Sequence, residues 1–137
     1  MKIAVIGLGF VGLTLSSVLA SKGITTVGID LDKEKCSKIA KGIPTFFEPN
    51  LKKTLKKALN RNLLITDKLS SINNCDFIFI TVGTPPKKNG EIDLSFIKTV
   101  VRSVGKIISK NKKKPVILIK STVIPGTMKD VILPILE

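Results

Sequence analysis

The sequence predicts a doubly wound α/β domain, a parallel sheet with helices on both faces. Three observations lead there. Short apolar, β-branched runs alternate with helix-length segments along the 137 residues. A glycine-rich turn, Gly7-Leu8-Gly9-Phe10-Val11-Gly12, stands between the first run and the first helical segment. An acidic residue, Asp30, ends the second run. The length is that of one core, and no linker, repeat or low-complexity stretch divides it. One domain is expected over residues 1–137.

Each element follows in order. Lys2–Ile6 is a short apolar strand, and the segment from Phe10 to Lys22 is an apolar helix that Gly23 closes. Thr25–Ile29 is β-branched and predicts the second strand. Leu31–Lys41 reads as a helix ended by Gly42 and Pro44. Another helix follows Pro49, with Leu51, Leu55 and Leu59 on one face and Lys52, Lys53, Lys56 and Lys57 away from it. Leu63–Ile65 is a brief third strand. Asp76–Val82 is apolar on both faces, as a central parallel strand should be. A polar loop runs from Gly83 to Gly90, and a helix over Leu94–Ser109 has Asp93 placed as its N-cap. Pro115–Lys120 predicts the fifth strand and Thr127–Glu137 a last helix. Five strands are visible where the dinucleotide-binding arrangement has six, so the sheet is expected to be truncated after its fifth main strand. Val131, Ile132, Leu133, Ile135 and Leu136 make the last helix strongly apolar, with nothing after it to provide cover.

Composition removes several classes. High apolar content, 43%, excludes disorder. The two cysteines, Cys36 and Cys75, have no metal-ligand spacing, and the absence of histidine removes imidazole bases and ligands. The net charge of +13 comes from 23 basic residues, of which only Arg61 and Arg102 are not lysine. The lysines are scattered or lie on solvent faces, apart from the short run Lys112-Lys113-Lys114. With no Trp or Tyr, and with six Phe expected in the core, stacking platforms for nucleic acid are not expected. The uncharged stretch from Ile3 to Ser21 mimics a signal peptide or a membrane span, but its spaced glycines point to a buried strand, turn and helix. No membrane association is expected, and a cytoplasmic location follows from that reading.

The turn at Gly7–Gly12 is GxGxxG after a strand and before a helix. Gly7 permits the tight turn, Gly9 lets backbone approach a pyrophosphate, and Gly12 allows close helix–strand packing. The helix N-terminus then faces the phosphates. Asp30 stands where a carboxylate can accept ribose hydroxyls, so a Rossmann-like dinucleotide site is expected. Gly83-Thr84-Pro85-Pro86 after the fourth strand and Ser121-Thr122 after the fifth share the same sheet edge. Cys36 and Cys75 are expected away from that edge, as inert thiols.

GLGFVG (7–12), GID (28–30) with Lys35, FFEPNL (46–51), VGTPP (82–86), NGEIDLSFI (89–97) and KSTVIPGT (120–127) together resemble the N-terminal domain of UDP-glucose/GDP-mannose dehydrogenases. The resemblance covers essentially the whole chain. It implies NAD as cofactor, held by Gly7, Leu8, Gly9, Phe10, Val11 and Gly12 at the pyrophosphate and by Asp30 and Lys35 at the adenosine ribose. Val82, Gly83, Thr84 and Pro85 would line the nicotinamide side, with Ser121 and Thr122 near the reacting carbon. Thr122 would assist catalysis through a water. Asn50 departs from the glycine more usual in its block.

The family oxidises a sugar nucleotide's C6 alcohol to a carboxylate with two NAD, by way of a thioester on a cysteine. That cysteine, the sugar-nucleotide domain and the central helical region that supplies dimer contacts are expected outside this chain. The full-length enzyme would be a homodimer binding NAD and a nucleotide sugar, with UDP-glucose favoured. Two alternatives stay open: a stand-alone NAD-binding regulatory module, and a basic polyanion-binding protein.

Overall fold

A computed structural model describes residues 1–112 and 114–137; Lys113, in the middle of the lysine run, lies outside the described residues. The strands are β1 (Lys2–Ile6), β2 (Thr25–Ile29), β3 (Leu63–Thr66), β4 (Phe77–Ile80) and β5 (Val116–Ile119). They form one sheet in the order β3-β2-β1-β4-β5, with every pairing parallel. The chain runs outward from β1 to β3, crosses back, and continues outward through β4 to β5. The order therefore reverses between β1 and β4, and such a reversal opens a crevice at the carboxyl ends of the strands. Ile3, Ala4, Val5 and Ile6 are all buried, because β1 is covered on both faces.

The helices divide between those faces. α1 (Phe10–Ser21), α2 (Lys33–Ala40) and α3 (Leu51–Leu59) bury Leu13, Ala20, Ile39, Leu51 and Leu55 on one side. α4 (Ser95–Ile108) buries Ile97, Val101 and Val104 on the other, against Ile78 and Ile80 of β4. The lysines of α3 are exposed opposite its buried leucines, as their spacing predicts. No helix among the described residues is long and apolar enough to cross a membrane.

Several expectations are corrected. α2 starts at Lys33 rather than Leu31, because the Asp32 carboxylate accepts the Lys35 backbone N–H at 2.9 Å and caps the helix there. Asp93 accepts the Ser95 N–H at 2.8 Å, although Leu94 is the residue flanking α4. The last segment is not one continuous α-helix. Met128–Ile132 forms a wide π-type turn before α5 (Leu133–Leu136). Pro134 has no N–H to offer the Asp130 carbonyl, so the helical ladder changes register there.

That apolar segment is also covered. Ile132 is fully buried, and Val131, Ile135 and Leu136 pack against the core that contains α4, while Leu133 stays exposed. The phenylalanines are not all core: Phe10, Phe47 and Phe96 are 68%, 88% and 56% exposed. Phe10 stacks on Phe46 with ring centroids 4.2 Å apart. Asn50 occupies a left-handed conformation, φ 65°, immediately before α3. Asparagine is among the few residues with a side chain that adopt that region readily, which explains why it can replace glycine here.

Ser17 in α1 is fully buried, and its hydroxyl has no hydrogen-bond partner among the described residues. An unsatisfied buried hydroxyl costs about 1–3 kcal/mol. Ser17→Ala should therefore raise stability by about 1 kcal/mol in denaturant titration. A loss of stability would show that the hydroxyl is satisfied in solution.

Candidate functional site

A cleft of about 610 Å³ lies at the reversal point, walled by the glycine turn, the carboxyl ends of the strands and one side of α4. The turn begins where β1 ends. Gly7 adopts φ +98° and its N–H donates to the Ile29 carbonyl at 2.8 Å, tying the turn to β2. Gly12 is buried against Gly7: a Cβ there would collide with the Gly7 carbonyl oxygen and approach Thr81 Oγ1 to 2.6 Å. Gly9 is the opposite case. It is exposed, lines the cleft, and has no atom of the described residues within 4 Å of where a Cβ would stand. α1 begins there with no side-chain cap and no acidic residue in its first turn. Its first amides thus keep their capacity to bind an anion, reinforced by the helix dipole.

Asp30 borders this turn. Its side chain is 12% exposed and gathers three donors: the Leu8 N–H at 2.8 Å and Lys35 Nζ at 3.0 Å on Oδ2, and the Asp32 N–H at 3.0 Å on Oδ1. Burial alone would raise its pKa, but the Asp32 and Leu8 amides and the Lys35 ammonium together hold it below the usual aspartate value. The carboxylate is ionised at neutral pH. It has about four acceptor positions, so one remains for a further donor such as a ribose hydroxyl.

The structure brings most of the expected residues to the cleft wall: Gly7, Gly9, Phe10 and Val11, then Asp30 and Lys35, then Val82, Gly83 and Thr84, and finally Ser121 and Thr122. Leu8, Gly12 and Pro85 stand elsewhere. The Leu8 side chain is fully buried in the core and its N–H is taken by Asp30. Gly12 acts through packing. The Pro85 carbonyl accepts the Asp93 N–H at 2.9 Å, closing its own loop. Ser121 Oγ donates to the Val82 carbonyl at 2.6 Å, so it braces the loop after β4 as well as bordering the cleft. Sequence reasoning missed Leu31, Thr81, Lys120 and a strip of α4 comprising Phe96, Thr99, Val100 and Ser103, which also border the cleft. The signal available was membership of the quoted blocks, NGEIDLSFI for Phe96 and KSTVIPGT for Lys120.

The thiols need one correction. Cys36 lies at the carboxyl edge, its Sγ 3.3 Å from the Asp30 carbonyl and 3.5 Å from that of Thr66. It is buried nonetheless. Burial pushes its pKa up, and the Asp30, Asp67 and Asp32 carboxylates add to that against the lowering effect of the bond to the Asp30 carbonyl. Cys75 is buried beside Lys2 and Asp76 at the amino edge, and burial raises it too. Both are protonated thiols at neutral pH. Among the described residues no group of His, Cys, Asp or Glu could hold a metal ion.

A parallel sheet reversing beside a glycine turn, an uncapped helix start and an ionised carboxylate define a dinucleotide-binding α/β domain. The cradle fits such a ligand: Gly9 leaves open space where a pyrophosphate would lie, and Asp30 keeps one acceptor position. The model of the UDP-glucose/GDP-mannose dehydrogenase family, NAD binding domain, matches residues 1–137, and the chain belongs to that family.

Relatives agree. The chain is 37% identical over 139 residues to the GDP-mannose 6-dehydrogenase of Pseudomonas savastanoi pv. phaseolicola, matching 100% of this chain and 32% of that protein. Among solved structures, a ternary complex of GDP-mannose dehydrogenase from Pseudomonas aeruginosa superposes with a TM-score of 0.97 at 34% identity, over 100% of this chain and 32% of that one. A UDP-glucose dehydrogenase from the archaeon Pyrobaculum islandicum gives 0.93 at 31% identity, over 98% and 32%. The chain thus spans about a third of the length of these relatives.

Proposed function

We propose that this chain holds NAD for a nucleotide-sugar 6-dehydrogenase that oxidises the C6 alcohol of a sugar nucleotide to a carboxylate, using two NAD. The observation that carries the reading is the meeting, in one cleft, of the open Gly9 apex, the uncapped start of α1 and the ionised Asp30. NAD supplies the hydride acceptor. The amides of the first turn of α1 bind the pyrophosphate, Asp30 accepts from the adenosine ribose, and Lys35 fixes the Asp30 carboxylate. Val82, Gly83 and Thr84 border the nicotinamide, with Ser121 and Thr122 beside the reacting carbon and Thr122 orienting a water. UDP-glucose is the substrate expected from the sequence, although its blocks stand as near the GDP-mannose branch as the UDP-glucose branch; similarity to GDP-mannose dehydrogenases makes GDP-mannose the alternative. The complete enzyme on this reading is a cytoplasmic homodimer that provides sugar acids for polysaccharide assembly.

The chain by itself is expected to produce no NADH from NAD with either sugar nucleotide. Thioester chemistry needs a reactive thiolate, and burial keeps both thiols protonated. Thr122 has no histidine to assist it. Absorbance of NADH settles this directly. Sustained turnover by this chain alone would show that its own residues carry the chemistry and would contradict the assignment of roles.

A further inference from the structure

Thr81 follows β4 and belongs to none of the motifs that drew attention to the cleft. Its backbone N–H donates to the Ile6 carbonyl at 2.8 Å, extending the β1–β4 ladder by one step. Its hydroxyl lies 2.7 Å from the Gly7 carbonyl oxygen and 3.0 Å from that of Ile6. A hydroxyl has a single hydrogen, and the shorter contact marks Gly7 as its main acceptor. Thr81 also fills the space between the first and third glycines. A Cβ on Gly7 would stand 2.9 Å from the Thr81 carbonyl carbon and oxygen, and one on Gly12 would stand 2.6 Å from its Oγ1. The turn therefore rests on Thr81, from a position 74 residues away along the chain.

We propose that Thr81 is a positioning residue for the dinucleotide, its hydroxyl holding the Gly7 carbonyl so that the Gly9 apex stays aligned with the cleft. This deepens the NAD-binding reading and rests on it. The glycine turn has no side chains of its own at Gly7, Gly9 and Gly12 with which to fix its peptide planes. A donor from the neighbouring strand supplies that constraint without entering the space that the pyrophosphate needs. Because the bond runs from β4 to the β1 turn, it also locks together the two strands that flank the reversal point.

Three variants test it. Thr81→Val keeps the shape and removes the donor, Thr81→Ser keeps the donor and removes the methyl, and Thr81→Cys keeps a weak donor. NAD affinity is measured by calorimetry, stability by thermal unfolding, and order of the turn by amide hydrogen exchange in the nucleotide-free chain at Leu8 and Leu13, whose N–H groups donate to the Asp30 carboxylate at 2.8 Å and to the Gly9 carbonyl at 3.0 Å. Thr81→Val is expected to weaken NAD binding about tenfold, the equivalent of one net hydrogen bond, and to speed exchange at both amides. Thr81→Ser should restore both to near the wild-type values, whatever its effect on unfolding temperature. If the valine variant does not fold, the comparison is read between serine and cysteine, with cysteine expected to bind more weakly and exchange faster. Equal affinity and equal exchange across the variants would overturn the proposal, as would serine behaving like valine. Failure of the wild-type chain to bind NAD would overturn the binding reading instead, while the exchange data, which need no nucleotide, would still decide whether Thr81 orders the turn.

Discussion

Gly12→Ala should destabilise the chain by about 3 kcal/mol, the upper range for overpacking a core, and lower its unfolding temperature by about 10 °C. The added methyl would overlap the Gly7 carbonyl oxygen and press to 2.6 Å of Thr81 Oγ1. Two of the nearest atoms are backbone, so no side-chain rotation relieves them, and α1 must lift away from β1. Gly9→Ala is the matched contrast. Its Cβ meets no atom of the described residues within 4 Å, and Gly9 has φ −77°, a conformation open to any residue. Its stability should stay within about 0.5 kcal/mol of wild type. Its NAD affinity should nevertheless fall at least about tenfold, because the methyl occupies the space through which backbone approaches the pyrophosphate. Thermal unfolding and calorimetry on the same two samples separate the roles. Similar stability losses in both variants would contradict the division between a packing glycine and a ligand glycine.

Asp30→Asn should remove cofactor discrimination. The carboxylate repels a 2′-phosphate, and the lysines that would tolerate one are engaged elsewhere: Lys35 with Asp30 itself at 3.0 Å, Lys33 with Asp67 at 3.9 Å. Wild type should prefer NAD over NADP by calorimetric titration. The variant should lose about tenfold or more in NAD affinity and most of the preference, since a charge-assisted bond is worth about 1.5–3 kcal/mol. Equal or tighter NADP binding by wild type would sink the role of Asp30. The same residue predicts a pH effect. In the folded chain its pKa lies below the ordinary aspartate value of 3.8. The unfolded chain therefore takes up the proton first, so the contribution of Asp30 is complete above that value and is lost as pH falls through the lower folded pKa. Asp30→Asn should flatten that part of the acid unfolding profile.

The glycine turn, Asp30 and the loops after β4 and β5 were legible because local spacing carries their chemistry: a turn must fall between a strand and a helix, and parallel strands put their carboxyl ends on one edge. Contacts across the fold were not legible. The spacing of Gly7 to Gly12 contains nothing about Thr81, and nothing in Asp30 tells that it takes the Leu8 N–H. Periodicity located α4 but not the cleft that Phe96, Thr99 and Val100 border, because an amphipathic pattern names the buried face and leaves the other open. The exposure of Phe10 and Phe96 ran against their apolar character for the same reason: composition favours burial, and a ligand cleft is where large apolar groups stay exposed. Cys36 was misplaced because the first turn of α2 returns to the strand edge that its sequence position, past β2, had suggested it leaves.

On the proposed reading, one cleft, at the reversal of the sheet, receives NAD. The most direct test is NAD titrated into the isotopically labelled chain, with backbone amide shifts followed by NMR. The largest shifts are expected at Gly9, Phe10 and Val11, with others at Leu31 and at Val82, Gly83 and Thr84, and little change along Lys52, Lys53, Lys56 and Lys57 of α3. Shifts concentrated on that lysine face, with the glycine turn unmoved, would contradict it.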